Sequence, residues 1–354
     1  MGAGGKTSKI SKSPKILKKP WGSPGDTLGA LGDALEIETR ERPRIPRGEV
    51  LVRLRSAALN RRDYWITQGL YPDIQLPVTL GSDGAGVVCE IGEGVQTHWL
   101  NREVMLYPGL SWGETPKVQS DDFQVLGMPR DGTLSTHVLV PEPCLYPKPS
   151  QWSFEQAAAL PLAGLTAWRA LVTQAQLQKG DTVWILGIGG GVAQWALQWA
   201  ISLGACVWVT SSSQEKLERA TSQGAKGGIL YDTPTWAQNL QDQSGPPQII
   251  LDGAGGQDHH TLMDIIAPGG HWIQYGATAG PAKHINLFKL FWKQVTLRGS
   301  TMGSPKEFEA MLDHARKATI TPTIDKIFPL IDCNQAITRL GKKEQFGKIL
   351  IDCT

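Results

Sequence analysis

Nowhere in these 354 residues do cysteines fall at metal-ligand spacing. The five that occur, Cys89, Cys144, Cys206, Cys333 and Cys353, are scattered and form no CxxC. That excludes a zinc ribbon, a dithiol redox motif and a disulfide-stapled scaffold, and it fits reduced thiols in a cytoplasmic protein. The seven histidines are equally dispersed. The adjacent pair His259-His260 would point about 100° apart on a helix, not at one metal. No stretch approaches the roughly 18 apolar residues that a membrane span takes, so no transmembrane segment is expected. The N-terminal residues lack the apolar core of a signal peptide and carry Lys instead of the Arg of a transit peptide. After Gly2, Lys6 stands where myristoylation needs Ser or Thr.

Charge of one sign is scarce as well. The formal net charge is +2, yet Met1–Pro20 holds six lysines and no acid, so the remainder carries −4. A body of that charge is no polyanion binder, and no basic-aromatic interleaving suggests nucleic acid. Residues 1–14 read as a disordered basic tail.

What is abundant is glycine, and its placement is informative. Val183-Trp-Ile-Leu-Gly-Ile-Gly-Gly-Gly-Val-Ala193 reads as a buried strand running into a glycine turn and a helix. Glycines let the backbone approach a pyrophosphate, and the free N–H groups of a helix start attract its charge. Val192, Trp195, Ala196, Trp199, Ala200 and Leu203 then form one apolar helical stripe, and Gly204 stands at the C-terminal cap. Ala205–Thr210 is a second β-branched run. Strand, turn, helix and strand make the βαβ unit of a dinucleotide fold.

The end of that second strand selects the cofactor. NAD sites usually place Asp or Glu there for the ribose hydroxyls. Here the chain reads Thr210-Ser-Ser-Ser-Gln-Glu-Lys216. Hydroxyls and a cation suit a 2′-phosphate that a carboxylate would repel, so NADP (as NADPH) is the expected cofactor. Glu215 is the alternative acid if the strand ends later.

The fold class is α/β. Gly48–Ser56 alternates as a half-buried strand does, and Pro141–Pro149, with four prolines, reads as a boundary. Beyond Val183, strands at Ile249–Asp252, Trp272–Gly276 and Thr296–Gly299 alternate with helices. Helical Pro305–Lys317 follows, and Gly347–Asp352 is again a strand. A β-rich first domain and a doubly wound second one is the resulting parse.

Five ordered segments resemble the zinc-independent quinone oxidoreductase and enoyl reductase branch of the medium-chain dehydrogenase/reductase superfamily. They are Asn60-Arg-Arg-Asp63 through Gly69-Leu-Tyr71, Gly81–Val87, Ala157–Trp168, the glycine turn, and Gln345-Phe-Gly-Lys348. The resemblance runs from about Lys15 to the end. It implies a GroES-like catalytic domain over 15–150, completed by about 302–354, and a Rossmann NADP-binding domain with a doubly wound parallel sheet over 151–301. It also implies a homodimer or homotetramer.

The same resemblance assigns residues. Gly190, Gly191 and Val192 match the pyrophosphate turn, with Ala193 where many relatives have Gly. Ser212, Lys216 and Tyr231 match positions around the 2′-phosphate, and Thr166 one near the nicotinamide. Gly276, Ala277 and Ser300 match strand-end contacts, and Lys348 a lysine near the cofactor. Tyr71 is the candidate proton donor. Asn60 matches an asparagine beside the nicotinamide, although capping the helix that begins at Arg61 would equally explain it.

Two departures matter. Zinc alcohol dehydrogenases of this superfamily carry Cys where Asn60–Asp63 stands and Gly-His-Glu where Gly81-Ser82-Asp83 stands, and Gly109–Leu134 has no cysteine for a structural zinc. Asp63, Asp83 and His137 hold the remaining donor atoms and read as scattered surface residues, so no zinc is expected. The other departure is the Gly-rich loop Gly22–Gly32, which interrupts the family's first strand.

Without a Lewis acid, hydride transfer to a small-molecule quinone or α,β-unsaturated carbonyl is the chemistry expected, because the product spreads its charge. Two other readings stay open: a zinc-type alcohol dehydrogenase and a non-catalytic NADPH-binding protein. Trp65 is a candidate wall for a flat substrate, while Trp195 and Trp199 read as core.

Overall fold

The computed structural model describes residues 9–16, 35–41, 43–256, 259–282, 284–318 and 320–354. The chain divides into two compact units, 1–162 with 324–354, and 163–323.

In the first unit, alternation along Glu49–Ala58 puts Val50, Val52 and Leu54 into the core and makes this the central strand. The sheet runs in the order Ile324–Pro329, Lys348–Asp352, Glu49–Ala58, Asp83–Ile91, Glu103–Leu106 and Leu145–Pro147, with His137–Pro141 also pairing the central strand. The C-terminal strand therefore closes the first unit: Leu350 opposes Ala58 and Asp352 opposes Ser56 in an antiparallel ladder. That pairing joins residues almost 300 apart and leaves no local signature.

Three readings need correction here. Lys9–Ile16 is a strand antiparallel to Leu35–Glu41, so the expected disordered tail does not extend to residue 14. The open hydrogen-bonding edge of Leu35–Glu41 supplies the partner that composition alone does not reveal. Residues 1–8 and the Gly22–Gly32 loop lie outside the described residues. The proline-rich Pro141–Pro149 is not a boundary, since Leu145–Pro147 pairs with Glu103–Leu106 inside the first unit.

The passage between units comes at Leu162 instead. Helix Phe154–Ala158, opened by a Ser153/Gln156 capping box, belongs with the first unit, and Ala159 packs against Ala58 and Leu350. Similarly, helix Pro305–Ala318 belongs with the second unit, which therefore reaches past residue 301.

The second unit carries a six-stranded parallel sheet in the order Gly227–Leu230, Cys206–Ser211, Thr182–Ile185, Ile249–Asp252, His271–Gln274 and Thr296–Gly299. In chain order this is 3-2-1-4-5-6, so the strand order reverses beside Thr182–Ile185, where open α/β sheets bind ligands. Trp184, Trp272, Ile250 and Trp236 fill one core of this unit. Trp195 and Trp199 stack at 4.8 Å, and Trp199 donates to the Gly164 carbonyl at 3.1 Å.

Candidate active site

At the switch point of the second unit, the first strand ends in Leu186-Gly187. Gly187 has φ +75, which a side-chain-bearing residue reaches only with strain, and its N–H donates to the Thr210 hydroxyl at 3.0 Å. Ile188 N–H reaches the Thr210 carbonyl at 2.9 Å. These two bonds fix the turn against the second strand. Gln194, buried in the following helix, donates to the Ile188 carbonyl at 2.7 Å and holds the turn from the other side. Nothing in the sequence pattern singled out Gln194, and Thr210, read there as one of the strand-tip hydroxyls, instead holds the turn.

Gly190 caps the helix Gly191–Ser202 with ordinary extended dihedrals (φ −80, ψ 156). A Cβ built at Gly187 or Gly190 meets no atom within 4 Å. The turn is thus a shallow cradle with open space above it, and the first N–H groups of the helix, lacking intrahelical acceptors, are aimed there. Val192 sits half-buried in that first turn.

The second strand ends at Ser211, with Ser212 exposed after it. Ser213 caps the helix Gln214–Ser222, its hydroxyl accepting from Lys216 N–H, and Lys216 is half-buried in that first turn. Glu215 lies on this helix with Arg219 3.8 Å away, so its carboxylate is carried by the helix and not by the strand tip. Tyr231 N–H reaches the Ser211 carbonyl at 3.1 Å, which brings Tyr231 beside the same tip.

Three of the remaining cofactor candidates of this unit, Gly276, Ala277 and Ser300, also lie at strand ends. Gly276 passes so close to Gly253 that a Cβ would lie 2.8 Å from its carbonyl oxygen, and exposed Ala277 follows. Ser300 N–H donates to the Gln274 carbonyl at 2.9 Å, while its hydroxyl is buried without a partner among the described residues. Thr166 is buried in the helix Pro161–Trp168. Asp252, which sequence reasoning missed, ends the fourth strand. One of its oxygens accepts from Ala254 and Gly255 N–H at 2.7 and 2.9 Å, and the other is buried without a hydrogen-bond partner among the described residues, with His259 Nε2 3.9 Å away. An acid directly before Gly-Ala-Gly-Gly was the available signal. These residues fit a dinucleotide: open glycine cradle, orphaned hydroxyl, and hydroxyls with a cation at the second strand's tip.

The first unit holds a buried polar network. Asn60 Nδ2 donates to Asp83 Oδ2 at 2.9 Å. Lys348 Nζ donates to the Leu59 carbonyl (2.7 Å), Asn60 Oδ1 (2.7 Å) and Asp83 Oδ2 (3.0 Å). Asp83 Oδ1 accepts from Leu162 N–H at 2.8 Å. The side chain of Asn60 is therefore committed to this network. The cap of helix Arg61–Thr67 is made the other way round, with Asn60 N–H donating to the Asp63 carboxylate at 2.7 Å.

Asp63 and Asp83 are both fully buried, which overturns the expectation that they are surface residues. Their charges are satisfied internally, a pairing that only the fold reveals. Burial raises the Asp63 carboxyl above the ordinary carboxylate range, opposed by the Arg62 charge, the Asn60 and Gly81 N–H groups and the Lys348 charge. Gly81, at φ +92 with Thr133 and Leu134 under 3 Å from a built Cβ, admits only glycine, and this lets its N–H reach Asp63.

Arg62 donates to Ser82 Oγ at 2.9 Å and to the Leu126 carbonyl at 2.8 Å, and its guanidinium lies 5.2 Å from the Tyr71 ring centroid. Tyr71 is half-buried against the core, with no hydrogen bond from its hydroxyl among the described residues. Trp65 meets Tyr64 edge to face at 5.2 Å.

The described residues do not fit zinc. No three His, Cys, Asp or Glu side chains among them converge. The oxygens of Asn60 and Asp83 that point inward already accept from an ammonium, and no sulfur or imidazole joins them.

Two family descriptions match the chain: an alcohol dehydrogenase GroES-like domain over 46–150 and a zinc-binding dehydrogenase domain over 191–317. A zinc-type alcohol dehydrogenase-like protein of Leptosphaeria maculans is 34% identical over 90% of this chain and 94% of its own. The chain belongs to the medium-chain dehydrogenase/reductase superfamily. It is an oxidoreductase of that family. A quinone oxidoreductase of Pseudomonas aeruginosa is 30% identical over 86% of this chain and 90% of its own. Among solved structures, an NAD-dependent alcohol dehydrogenase superposes with a TM-score of 0.88 at 31% identity, covering 96% of this chain and 99% of that one. The GroES-like and Rossmann architecture expected from the sequence is the one observed.

Proposed function

We propose that this protein is an NADPH-dependent, zinc-free reductase of quinones or α,β-unsaturated carbonyls. The observation that carries the reading is the Lys348 ammonium on Asn60 and Asp83, at positions where the zinc enzymes of the superfamily keep ligands. A buried cation already neutralises that cluster, and a second, divalent one would meet it with like charge. The quinone oxidoreductase relative agrees with this chemistry.

In this reading NADPH, when bound, supplies the hydride. The cradle at Gly190, Gly191 and Val192 holds its pyrophosphate on helix N–H groups. Ser212, Lys216 and Tyr231 hold the 2′-phosphate with hydroxyls and a positive charge, while Glu215 stays on its helix with Arg219. Thr166, Gly276, Ala277 and Ser300 position the rest of the cofactor. Tyr71 donates a proton to the substrate oxygen as its charge develops, and Arg62 beneath its ring steadies the phenol. Asn60, held by Lys348 and Asp83, is a rigid amide, and Lys348 acts through Asn60 as a positioning residue.

The test is cofactor consumption with NADPH and NADH against a panel of quinones, enones and alcohols, together with zinc analysis of the purified protein. NADPH preferred by at least about tenfold, lost in Lys216→Ala, and turnover lowered about 10²-fold in Tyr71→Phe are the expected results. Stoichiometric zinc with alcohol oxidation would replace this reading by the zinc-type dehydrogenase. Saturable NADPH binding without turnover on any acceptor would replace it by a non-catalytic NADPH-binding protein.

A further inference from the structure

Beside the glycine turn, the second unit builds a platform from two loops. Strand Ile249–Asp252 pairs with the strand that enters the turn, and Leu186 N–H donates to the Leu251 carbonyl at 3.0 Å. Its carboxyl end therefore opens next to the cradle, at the switch point where such sheets bind ligands. The loop that follows, Gly253–Gly256, is laced to the loop after Gln274. Ala279 N–H donates to the Ala254 carbonyl at 2.7 Å, and Gly256 N–H to the Gly280 carbonyl at 2.9 Å. Gly255 and Gly256 have φ of +68 and +89, and a Cβ at Gly255 would lie 2.6 Å from the Gly280 carbonyl oxygen. The second loop begins with Gly276 and Ala277, so a displacement of Gly253–Gly256 is passed on to both.

Two buried side chains hold this platform. Asp252 Oδ1 accepts from the N–H groups of Ala254 and Gly255. His259 opens helix His259–Ile265, and its Nδ1 reaches the Gly256 carbonyl at 3.1 Å. A carbonyl only accepts, so Nδ1 is the donor in this bond. The imidazole stacks on the wholly buried Trp272 ring at 4.7 Å, which fixes its plane. Tyr275 covers Gly253, where a built Cβ would meet its ring at 2.5 Å. Burial raises the Tyr275 phenol above its ordinary range, and the Asp252 charge raises it further. Capping the loop does not account for the rest of the arrangement. Asp252 Oδ2 and Gln274 Oε1, in register on neighbouring strands, are both buried without a hydrogen-bond partner among the described residues. An acceptor buried without a donor costs stability, and chains keep such costs where a residue serves more than folding.

We propose that Asp252 and His259 are positioning residues for the coenzyme: acting through Ala254, Gly255 and Gly256, they set the platform on which the nicotinamide half of the dinucleotide lies. The order of the sheet supports this placement. The 2′-phosphate residues follow Cys206–Ser211, on one side of Thr182–Ile185, and Ile249–Asp252 lies on the other. A dinucleotide with its pyrophosphate over the glycine turn extends its remaining half over Gly253–Gly256. The proposal rests on the proposed function only in needing a dinucleotide across that turn.

Equilibrium binding to the full chain tests it, with NADPH and NADH as dinucleotides and 2′,5′-ADP and ADP as fragments that lack the nicotinamide half. His259→Leu fills the space on Trp272 without a donor, and Asp252→Ala removes the acceptor for both loop N–H groups. Each should bind the preferred dinucleotide roughly tenfold more weakly, the worth of about one hydrogen bond, with fragment affinity within about twofold of wild type. His259→Asn restores an amide donor near the Nδ1 position, and Asp252→Asn keeps the acceptor. Both should bind the dinucleotide within about threefold of wild type. His259→Leu leaves the Asp252 bonds intact and decides the matter if Asp252→Ala does not fold. A folded His259→Leu protein that binds the dinucleotide as wild type does overturns the proposal. So does an equal loss of dinucleotide and fragment, or an Asn variant no better than its Leu or Ala counterpart. A preference for NADH would end the NADPH reading alone, since the ratio of dinucleotide to fragment affinity still decides this one. A wild type that binds neither dinucleotide ends both.

Discussion

Lys348 Nζ lies 3.0 Å from Asp83 Oδ2, with the lysine side chain 3% exposed and the aspartate wholly buried. Two charges taken this far from water stabilise each other only as a pair, and Asn60 and the Leu59 carbonyl complete the lysine's hydrogen bonds. Lys348→Met should therefore cost about 3–5 kcal/mol of stability, because Asp83 is left charged and unmatched. Lys348→Met/Asp83→Asn should recover part of that loss. Urea unfolding of the three proteins measures both numbers, and a single substitution costing less than the double would refute the pairing argument.

Gly190 separates folding from binding. Its dihedrals suit any residue and a Cβ there meets open space, so Gly190→Ala should change the unfolding free energy by less than about 1 kcal/mol. A methyl group in the cradle would nonetheless stand where the pyrophosphate approaches the backbone. The expected outcome is a thermal midpoint close to wild type with NADPH affinity, by fluorescence titration, weakened roughly tenfold or more. Gly187→Ala should do the reverse of half of this and destabilise the fold, since its φ of +75 is strained for alanine.

These contrasts explain what the sequence made readable. The Rossmann strands stood out because each is a short apolar run at a regular interval. Ile249–Asp252 and Thr296–Gly299 have the limits that the pattern indicates. Helix Pro305–Ala318 matches the helical segment expected from Pro305, and the structure adds that Ser304 and Glu307 cap its start reciprocally. The first unit's network did not stand out. Lys348 lies 288 residues after Asn60 and 265 after Asp83, and pairing of Lys348–Asp352 with Glu49–Ala58 brings it to them. A carboxylate's burial likewise depends on which lysine or N–H folds onto it, and no local pattern records that.

The thiols give a pH dependence with a definite sign. Burial pushes the Cys144 and Cys333 thiols from an ordinary 9.0 up to about 12, and Cys353 is raised as well by burial and Asp352. The native state therefore keeps its protons while the unfolded chain loses them above pH 9. Stability contributed by these groups is fully present below pH 9 and is lost as pH rises toward 12. The urea midpoint should fall across that interval, and Cys144→Ala/Cys333→Ala should flatten the fall. A disulfide-exchange reagent at pH 8 should label only half-buried Cys89 and Cys206 in the native protein, and all five thiols after unfolding.

Glu307 ties together the second unit's least regular backbone. Arg169 donates to both of its carboxylate oxygens at 2.7 Å, Thr173 Oγ1 to one at 2.6 Å, and Ser304 N–H and Oγ to the other at 2.7 and 2.9 Å. Arg169–Gln174 is a π-helical turn, a form with weaker intrinsic support than the α-helix it continues. The buried pair, with Arg169 3% and Glu307 12% exposed, holds this turn against helix Pro305–Ala318. Glu307→Ala should thus destabilise by about 3–5 kcal/mol by stranding Arg169. Glu307→Gln keeps an acceptor for Ser304 and should cost roughly half as much. A double-mutant cycle with Arg169→Met should return a coupling of at least about 1 kcal/mol. Amide exchange in 169–174 should quicken selectively in Glu307→Ala. Additive single costs, with those amides unchanged, would show that the turn stands without the ion pair.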